Sequence, residues 1–393
     1  MSSSYLVSGC RTPIGKFLGG LASFSGPQLG GLSLKETLTR AGAAPSELDQ
    51  VIMGQVVTAG AGQAPARQAL LHAGIPDTVG AITVNKVCGS GLAAVMLADA
   101  MIRAGDASQI AAGGMESMSQ APHLLRGTRA GWKYGTQRVD DALESDGLRC
   151  AIGQASMGCY ADATAAKYGV TRADQDAWAL QSHQRAIAAQ QAGLWNAEVI
   201  PVTDTSGKTP RTIAADEAPR ADSTIEALTK LRPAFDAGGT GTAGNSSPLS
   251  DGAASVLVVN EQRAAAGKFP WQFRIAAQAN SAGPPSELFV APAEAIRLAL
   301  KRAGKSVGDI HLFEINEAFA SQTLACQRLL EIPMDRLNVH GGAIALGHPI
   351  GASGARVLVT LLHALVATKQ TWGVASLCLG GGEAVALVIE RTA

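Results

Sequence analysis

The chain has few aromatic side chains and no excess of charge of either sign. Phe, Trp and Tyr together make up 4% of its 393 residues, and 32 Lys and Arg balance 32 Asp and Glu. A chain without net charge has no long-range field to attract nucleic acid or an anionic membrane, and few rings are available to stack on bases. The composition therefore argues against a nucleic-acid-binding protein.

Regular cysteine spacing is also missing. The six cysteines include no C-x-x-C pair, which argues against a disulfide framework or a zinc site; they are Cys10, Cys88, Cys150, Cys159, Cys326 and Cys378. We recognise no P-loop, dinucleotide-binding unit or cluster of metal ligands, so we expect no metal and no tightly bound cofactor.

Nothing near the N-terminus predicts export or membrane insertion. A strand-like apolar run begins at Tyr5 and leaves no room for a secretory or transit segment. We find no apolar run near the ~18 residues that a membrane span needs. We therefore expect a soluble cytoplasmic protein that does not associate with membranes.

The sequence is rich in glycine, with 45 residues. Short strand-like and helix-like runs alternate along it. Near the N-terminus the runs cover residues 5–8, 29–40, 50–57 and 64–73. Alternation of this kind indicates an α/β fold with buried, largely parallel strands.

Two glycine-rich blocks share one order of elements. Residues 81–113 predict a strand, a tight turn, a buried helix over 89–103 and a second strand over 109–112. Residues 338–383 predict a similar turn, a helix over 352–367 and a strand over 373–377. Each block ends in a glycine cluster followed by Glu, so we interpret them as related halves of one fold.

The region between the blocks, residues 119–248, has a different character. An amphipathic helix pattern covers 171–192, and turn-rich segments follow it. We interpret this region as an inserted, mostly helical subdomain lying over a site that the two halves form.

Cys88 stands at the predicted strand-to-helix turn, in the segment VCGSG. A thiol there faces the positive end of a helix dipole, which favours the thiolate and predicts a lowered pKa. A lone buried cysteine more often only packs. The turn position makes Cys88 a candidate nucleophile without deciding between the two interpretations.

Three other residues stand in similar contexts. His348 lies in the Gly-rich ALGHPIGASGA, where an imidazole is the usual base for a cysteine and a loop histidine is the alternative. Cys378 ends an apolar strand at a glycine cluster whose N–H groups would suit an oxyanion hole, with a packing cysteine as the alternative. Asn316 follows the strand-like run 310–315, where a helix N-cap is the alternative to a group that holds a catalytic water.

Seven segments in this order resemble the thiolase family over the whole chain. They are RTPIGKF, NKVCGSGLAAV, GGMESMSQAPHLL, KLRPAF, NEAFA, GGAIALGHPIGASGAR and CLGGGEA. Each motif alone is weak, but the segments around Cys88, His348 and Cys378, in this order and at these separations, form a highly specific triplet.

The resemblance implies a five-layered α/β fold of two similar βαβαβαββ halves with an inserted, mostly helical loop domain that binds coenzyme A. The implied divisions are an N-terminal half over 1–118 plus 249–270, a loop domain over 119–248 and a C-terminal half over 271–393. Family members are usually homodimers or homotetramers, which implies the same here.

The resemblance also implies roles for individual residues. Cys88 is the acylated nucleophile, His348 activates it, and Cys378 exchanges the α-proton of the second substrate. Asn316 holds a water that stabilises an enolate oxygen together with His348, and the N–H groups of Cys88 and Gly380 form an oxyanion hole.

Five further positions are implied to contact coenzyme A, which is a substrate and product here and not a bound cofactor. These positions are Met157, Arg220, Ala243, Ser247 and Phe319.

The sequence departs from the family pattern around the pocket. Ser156 stands where biosynthetic members often have a histidine, Tyr160 replaces a threonine, and Leu288 replaces a methionine. Ala221 and Ala227 replace polar residues common at the coenzyme A site. These changes leave the catalytic groups intact and bear on acyl-chain length and coenzyme A affinity.

The resemblance therefore implies, as the first hypothesis, an acetyl-CoA C-acetyltransferase activity that condenses two acetyl-CoA or cleaves acetoacetyl-CoA. One alternative is a 3-ketoacyl-CoA thiolase of β-oxidation acting on longer chains. A ketosynthase is disfavoured, because such enzymes usually pair the cysteine with two histidines. A non-catalytic acyl-CoA-binding protein is disfavoured because all four catalytic residues are present.

Overall fold

The computed structural model describes residues 3–393. Up to residue 117 the chain alternates strands with helices, in the order and with the bounds β1 (Ser4–Arg11), β2 (Gly15–Lys16), α1 (Gly26–Ala41), β3 (Gln50–Gly54), α2 (Pro65–His72), β4 (Gly80–Val84), α3 (Ser90–Ala104) and β5 (Gln109–Ser117). Every strand and helix predicted from this part of the sequence is present, with ends that differ by a few residues.

Four short strands and three α-helices fill the region between β5 and the next long strand. They are β6 (His123–Leu124), β7 (Asp140–Asp141), α4 (Met157–Lys167), α5 (Arg172–Gln191), β8 (Val202–Asp204), β9 (Arg211–Ile213) and α6 (Ile225–Thr229). Helix α5 is the amphipathic helix that the sequence predicts over 171–192, and a capping box at Thr171 starts it.

The remaining elements repeat the alternation of the first part. They are β10 (Ser250–Asn260), α7 (Glu261–Ala266), β11 (Phe273–Ala282), α8 (Ala291–Ala303), β12 (Leu312–Ile315), α9 (Ala320–Leu330), α10 (Ala343–Leu346), α11 (Ile350–Ala367), β13 (Trp372–Leu379) and β14 (Glu383–Arg391).

The strand order confirms that the chain contains two similar halves. The large sheet runs β12-β13-β14-β11-β1-β10-β5-β3-β4, and Leu337 forms a parallel bridge with Phe313 on the outer side of β12. With the segment at Leu337 counted as a strand, each half has the same spatial order, 3-2-4-5-1. The inserted region separates the fourth and fifth strands of the first half, β5 and β10.

The prediction of largely parallel strands is wrong. Only β3–β4, β3–β5 and β12–β13 pair in parallel among the described strands, and the other neighbours in the large sheet are antiparallel. The last strand of each half causes this mixture: β10 returns after the insertion and β14 returns through a short glycine turn, so each runs antiparallel to the strand before it.

Helices α3 and α11 form the central layer between the two halves, while α1 and α2 cover the first half and α8 and α9 the second. The two central helices cross very closely. A Cβ on Gly354 of α11 would lie 2.2 Å from the backbone nitrogen of Leu92 in α3. Because that obstacle is backbone, only glycine allows this approach, which brings the beginnings of both helices to one place.

Two stretches are long and apolar enough to span a membrane by length and composition alone, contrary to the prediction from the sequence. They are Val87–Ala104 and Ile350–Ala367, and 56% and 83% of them are buried inside the structure. The core helix of a soluble protein passes the same test, and these two stretches form the central layer. They are weak support for a membrane span.

Candidate active site

The turn that carries Cys88 is held in an uncommon backbone conformation. Val87 has φ of +47°, which β-branched residues rarely adopt, and Cys88 follows it directly. The hydroxyl of Ser90 at the start of α3 stabilises the turn, because it accepts from the backbone N–H of Lys86 at 2.8 Å and donates to the carbonyl of Val87 at 2.6 Å. The thiol of Cys88 is thereby fixed at the beginning of α3, half-buried.

The prediction of a lowered pKa for Cys88 is wrong. Burial raises the pKa of this thiol to about 11, and the nearby carboxyl of Glu116 raises it further. The backbone N–H groups of Gly380 and of Cys88 itself act in the opposite direction, as the helix argument expects, but desolvation outweighs them. Cys88 is therefore a neutral thiol at rest and needs a base.

His348 lies two residues before α11, as Cys88 lies two residues before α3. Its Nδ1 is 2.6 Å from the hydroxyl of Ser353, and that hydroxyl donates to the carbonyl of Pro349 at 2.9 Å. Since the hydroxyl has one proton, this arrangement places the imidazole proton on Nδ1 and leaves Nε2 unprotonated. Burial, together with the positive charge of Arg356, lowers the pKa of His348 to about 3, so the ring is neutral.

Asn316 directly follows β12 and is fully buried. Its backbone N–H donates to the carbonyl of Ser376 at 3.0 Å, and its Nδ2 lies 3.5 and 3.4 Å from Nδ1 and Nε2 of His348. The interpretation of Asn316 as a helix N-cap is wrong, because α9 begins only at Ala320 with Phe319 as its N-cap. The carboxamide faces the imidazole instead.

Cys378 lies near the end of β13 and is buried. Burial raises the pKa of its thiol well above the ordinary value, and the proximity of Cys88 adds to this. The turn that follows contains Gly381 and Gly382 with φ of +93° and +97°, a conformation that favours glycine. Gly380, at the start of this turn, directs its backbone N–H towards Cys88. The hydrogen bond that this N–H donates lowers the pKa of the Cys88 thiol.

One cavity of about 310 Å³ joins all of these groups except Asn316, which contacts His348 but is not part of the cavity wall. Cys88, His348, Cys378 and Gly380 line it, and so do three of the predicted coenzyme A contacts, Met157, Ser247 and Phe319. Much of the remaining wall is apolar and includes Leu148, Phe235, Leu288 and Phe289. A mainly apolar wall with a few convergent polar groups is typical of a binding site for a small organic group.

A second hollow, of about 320 Å³, shares wall residues with the first. It contains the other two predicted coenzyme A contacts, Arg220 and Ala243, and Ser246, Pro248 and Leu249 line both spaces. The backbone N–H of Arg220 donates to Nδ1 of His183, a buried residue in the same wall that the sequence did not single out. The two spaces therefore adjoin each other at Ser246, Pro248 and Leu249.

The residues that depart from the family pattern have separate surroundings. Ser156 lines the cavity and caps α4 by accepting from the N–H of Cys159. Leu288 is buried in the cavity wall. Tyr160 is not in the wall but packs beside it in the apolar cluster around Leu288, and its hydroxyl interacts with Cys150. Leu288 and Ser156 are therefore the substitutions that change the cavity surface.

Two further features concern cofactors. Residues 239–244 spell G-x-G-x-x-G, but they lie in an irregular segment between α6 and β10 and not at a strand-to-helix turn, so the context of a dinucleotide site is missing. Within residues 3–393 no group of three or more His, Cys, Asp or Glu is placed to hold a metal ion.

Sequence reasoning missed two groups that touch the candidate catalytic residues. Ser353 contacts His348, and Nη2 of Arg356 donates to Oδ1 of Asn316 at 3.3 Å. Both lie on α11, which is apolar at most positions, and they share one face with Thr360 through a spacing of three and four residues. Polar residues at helical spacing in an apolar helix were the signal available in the sequence.

Comparison with known proteins gives matches over the whole chain. The model of the thiolase N-terminal domain matches residues 4–262, and that of the thiolase C-terminal domain matches residues 269–391. An acetyl-CoA acetyltransferase of Escherichia coli K12 is 49% identical over 392 residues, which cover 100% of both chains. One of Pseudomonas aeruginosa is 47% identical over 392 residues with the same coverage.

A solved structure agrees with these matches. The crystal structure of the Bacillus anthracis acetyl-CoA acetyltransferase superposes with a TM-score of 0.97 at 37% sequence identity, and the match covers 100% of this chain and 99% of that one. Both family models, the full-length relatives and the common fold agree, and the chain belongs to the thiolase family.

Proposed function

We propose that the protein is an acetyl-CoA C-acetyltransferase, which condenses two acetyl-CoA to acetoacetyl-CoA and coenzyme A or catalyses the reverse reaction. The observation that carries this proposal is the convergence of Cys88, His348, Cys378 and the N–H of Gly380 on one cavity. The relatives named acetyl-CoA acetyltransferase support the choice of acyl group.

The first step is acyl transfer to Cys88. Nε2 of His348 takes the thiol proton, the thiolate attacks the thioester carbonyl, and the coenzyme A sulfur leaves and takes a proton from Cys378. The N–H groups of Cys88 and Gly380 are the donors for the oxyanion of the tetrahedral intermediate. The raised pKa of Cys88 makes the base necessary, because a thiol with a pKa of about 11 is almost fully protonated at neutral pH.

The second step forms the carbon–carbon bond. The Cys378 thiolate left by the first step removes a proton from the methyl group of a second acetyl-CoA. The carbanion attacks the acetyl thioester, the Cys88 thiolate is released, and it recovers its proton from His348. A thiolate with a strongly raised pKa is the stronger base that this weakly acidic C–H requires. Asn316, which faces His348, would hold the water that stabilises the enolate oxygen.

Coenzyme A would lie along the second hollow, with its thioester end in the adjoining cavity. Arg220 and Ala243 would contact its outer part, and Met157, Ser247 and Phe319 the arm that carries the thioester. The second hollow offers the cationic side chain of Arg220 for phosphates, while the wall of the cavity at Cys88 is mainly apolar. No resident cofactor takes part in this scheme.

The cavity is the observation that supports the longer-chain alternative, a 3-ketoacyl-CoA thiolase. Its volume of about 310 Å³ and its apolar wall with Leu288 and Phe289 offer more space than an acetyl group fills. The relatives that carry the acetyltransferase name favour the acetyl-specific function over this alternative.

We also propose the division of the chain into halves at 1–118 plus 249–270 and 271–393, with the loop domain over 119–248, and a homodimer or homotetramer in the cytoplasm. Strand β4 at the edge of the sheet leaves Ile82 37% exposed, which suits pairing with a second copy. Sedimentation of the purified protein at its monomer mass would contradict the oligomer.

The experiment that tests the function is a comparison of substrates. The purified protein is assayed for thiolytic cleavage of 3-ketoacyl-CoA esters of increasing chain length, with Cys88→Ser as the inactive control. We expect the highest kcat/KM for acetoacetyl-CoA. A preference for long chains would replace acetyl specificity by the broader thiolase function, and cleavage of none of them would refute the thiolase reaction.

A further inference from the structure

Three of the polar residues on helix α11, which is apolar at most positions, follow one another on one face at a spacing of three and four residues. Ser353, Arg356 and Thr360 are all buried, and each contacts a different polar group: Ser353 contacts His348, Arg356 contacts Asn316, and Thr360 contacts Glu198. The first of these contacts orients the base, and the third joins Glu198, which is ion-paired with Arg11. Arg356 lies between Ser353 and Thr360 on the helix.

The contact between Arg356 and Asn316 has a definite direction. A guanidinium can only donate hydrogen bonds, so the carboxamide must present Oδ1 to Nη2 of Arg356, 3.3 Å away. Its amino group is then turned towards His348, where Nδ2 lies 3.4 Å from Nε2. If the carboxamide flipped, its NH₂ would face the guanidinium, donor against donor.

Stability alone does not explain a charge at this position. Arg356 is 1% exposed, and its nearest carboxylate is Glu314 on β12, with Nη1 and Oε2 3.5 Å apart. Within residues 3–393 neither side-chain oxygen of Glu314 has a hydrogen-bond partner, and neither have Nε and Nη1 of Arg356. A buried ion pair with unfilled hydrogen bonds is generally no more stabilising than a well-packed apolar pair.

We propose that Arg356 is a positioning residue that acts through Asn316: its guanidinium fixes the orientation of the carboxamide, so that the amino group faces the imidazole of His348. The inference rests on the proposed function, in which Asn316 and His348 stabilise the enolate oxygen together. Arg356 itself does not line the cavity that holds the reacting groups.

A merely structural role would be the attachment of α11 to β12 through Glu314. That role predicts lower stability and an unspecific loss of activity when Arg356 is replaced. A positioning role predicts a different result. Replacement of Arg356 should lower kcat and leave KM for acetyl-CoA nearly unchanged, and it should have little effect in a variant that lacks the Asn316 carboxamide.

The test is a double-mutant cycle in the condensation of acetyl-CoA, with Arg356→Met, Asn316→Ala and the double variant. We expect Arg356→Met to lower kcat about 10-fold in the wild-type background, since small misplacements of catalytic groups have effects of this order. In the Asn316→Ala background the same substitution should lower kcat by less than about 2-fold, which is within the scatter of such cycles, because the carboxamide that Arg356 orients is already absent. Equal losses in both backgrounds would overturn the proposal.

Two further variants keep the test decisive. Arg356→Lys preserves the charge but lacks the planar fork, so it should lose part of kcat and respond to Asn316→Ala in the same way if Arg356→Met does not fold. Arg11→Lys is the matched control, because Arg11 is equally buried and ion-paired with Glu198 and Asp216 but does not contact Asn316. Its effect should be the same with and without Asn316→Ala.

The outcomes separate this inference from the proposed function. If the wild-type protein condenses acetyl-CoA and Arg356→Met retains wild-type kcat, the positioning role is refuted and the function stands. If the wild-type protein shows no acetyl transfer at all, the function fails first and takes the inference with it.

Discussion

The hydroxyl of Ser353 lies 2.6 Å from Nδ1 of His348 and donates its own proton to the carbonyl of Pro349. This contact fixes both the orientation and the tautomer of the imidazole, because only a protonated Nδ1 can donate to a hydroxyl that is already donating elsewhere. Nε2 is then the unprotonated nitrogen, which can act as the base in the proposed reaction.

Replacement of Ser353 by Ala should therefore impair the base without removing it. The buried Nδ1 loses its partner and the ring gains alternative orientations, so we expect kcat to fall about 10-fold, a fraction of the 10²–10⁴ that a positioned base contributes. Steady-state kinetics of acetoacetyl-CoA cleavage measures this. Ser33→Ala is the control, since it removes a buried hydroxyl that donates only to the carbonyl of Gly30 within α1; a similar loss there would contradict the assignment.

Cys378 should be needed for carbon–carbon bond formation and not for holding the acetyl group. In Cys378→Ala, Cys88 and His348 remain and the leaving coenzyme A thiolate can take its proton from water, so mass spectrometry should still find an acetyl adduct on the protein after incubation with acetyl-CoA. Formation of acetoacetyl-CoA should fall by about 10² or more, because the base for the α-proton is gone. Cys326→Ala removes another buried thiol, which donates to the carbonyl of Phe289, and should leave condensation nearly unchanged. Unimpaired condensation by Cys378→Ala would refute its role.

His183 should make the protein less stable as the pH falls. Burial and the neighbouring charge of Arg220 lower the pKa of His183 from 6.5 to about 4. Between these values the unfolded chain binds a proton that the folded protein does not, so the free energy of unfolding decreases towards acid pH by about 1.4 kcal/mol per pH unit for this group.

His183→Asn keeps an acceptor for the N–H of Arg220 and removes this proton. Urea unfolding at two pH values between about 6 and 5 should show a shallower decrease for the variant than for the wild type, by about 1 kcal/mol per pH unit. His123→Asn alters an exposed histidine and should retain the wild-type slope. Identical slopes for His183→Asn and the wild type would show that the group titrates normally.

Gly354→Ala should destabilise the fold strongly. Its Cβ would lie 2.2 Å from the backbone nitrogen of Leu92, so α3 and α11 must move apart. Overpacking of this kind costs about 3 kcal/mol or more when backbone must shift. Because both helices begin at the site, activity should fall together with the Tm. Gly283→Ala, where nothing lies within 4 Å of the new Cβ, should melt like the wild type.

Part of this structure was predictable from local patterns. Strand-like and helix-like runs located the elements around Cys88 and Cys378, because alternation and glycine turns depend on neighbouring residues. The prediction of largely parallel strands was wrong, because the direction of β10 depends on the path that the chain takes through the inserted region before it. The N-cap at Asn316 was wrong because the chain stays irregular up to Phe319 before α9 begins.

The electrostatics of the site could not be predicted in the same way. The position of Cys88 at a helix start predicts a lowered pKa, while burial between the two halves raises the pKa of its thiol to about 11. Burial depends on tertiary packing, which cannot be predicted from a short segment of sequence alone. Arg356 illustrates the same limit, since its partners Asn316 and Glu314 are about forty residues away in the sequence.

The most direct test of the account is the site at which the acetyl group is attached. The protein is incubated with radiolabelled acetyl-CoA, quenched in acid and digested, and the labelled peptide is identified, with Cys88→Ser treated in parallel. We predict a single labelled peptide that contains Cys88, and no label in the variant. A protein that carries no covalent label, or carries it on another residue, would contradict the central role of Cys88.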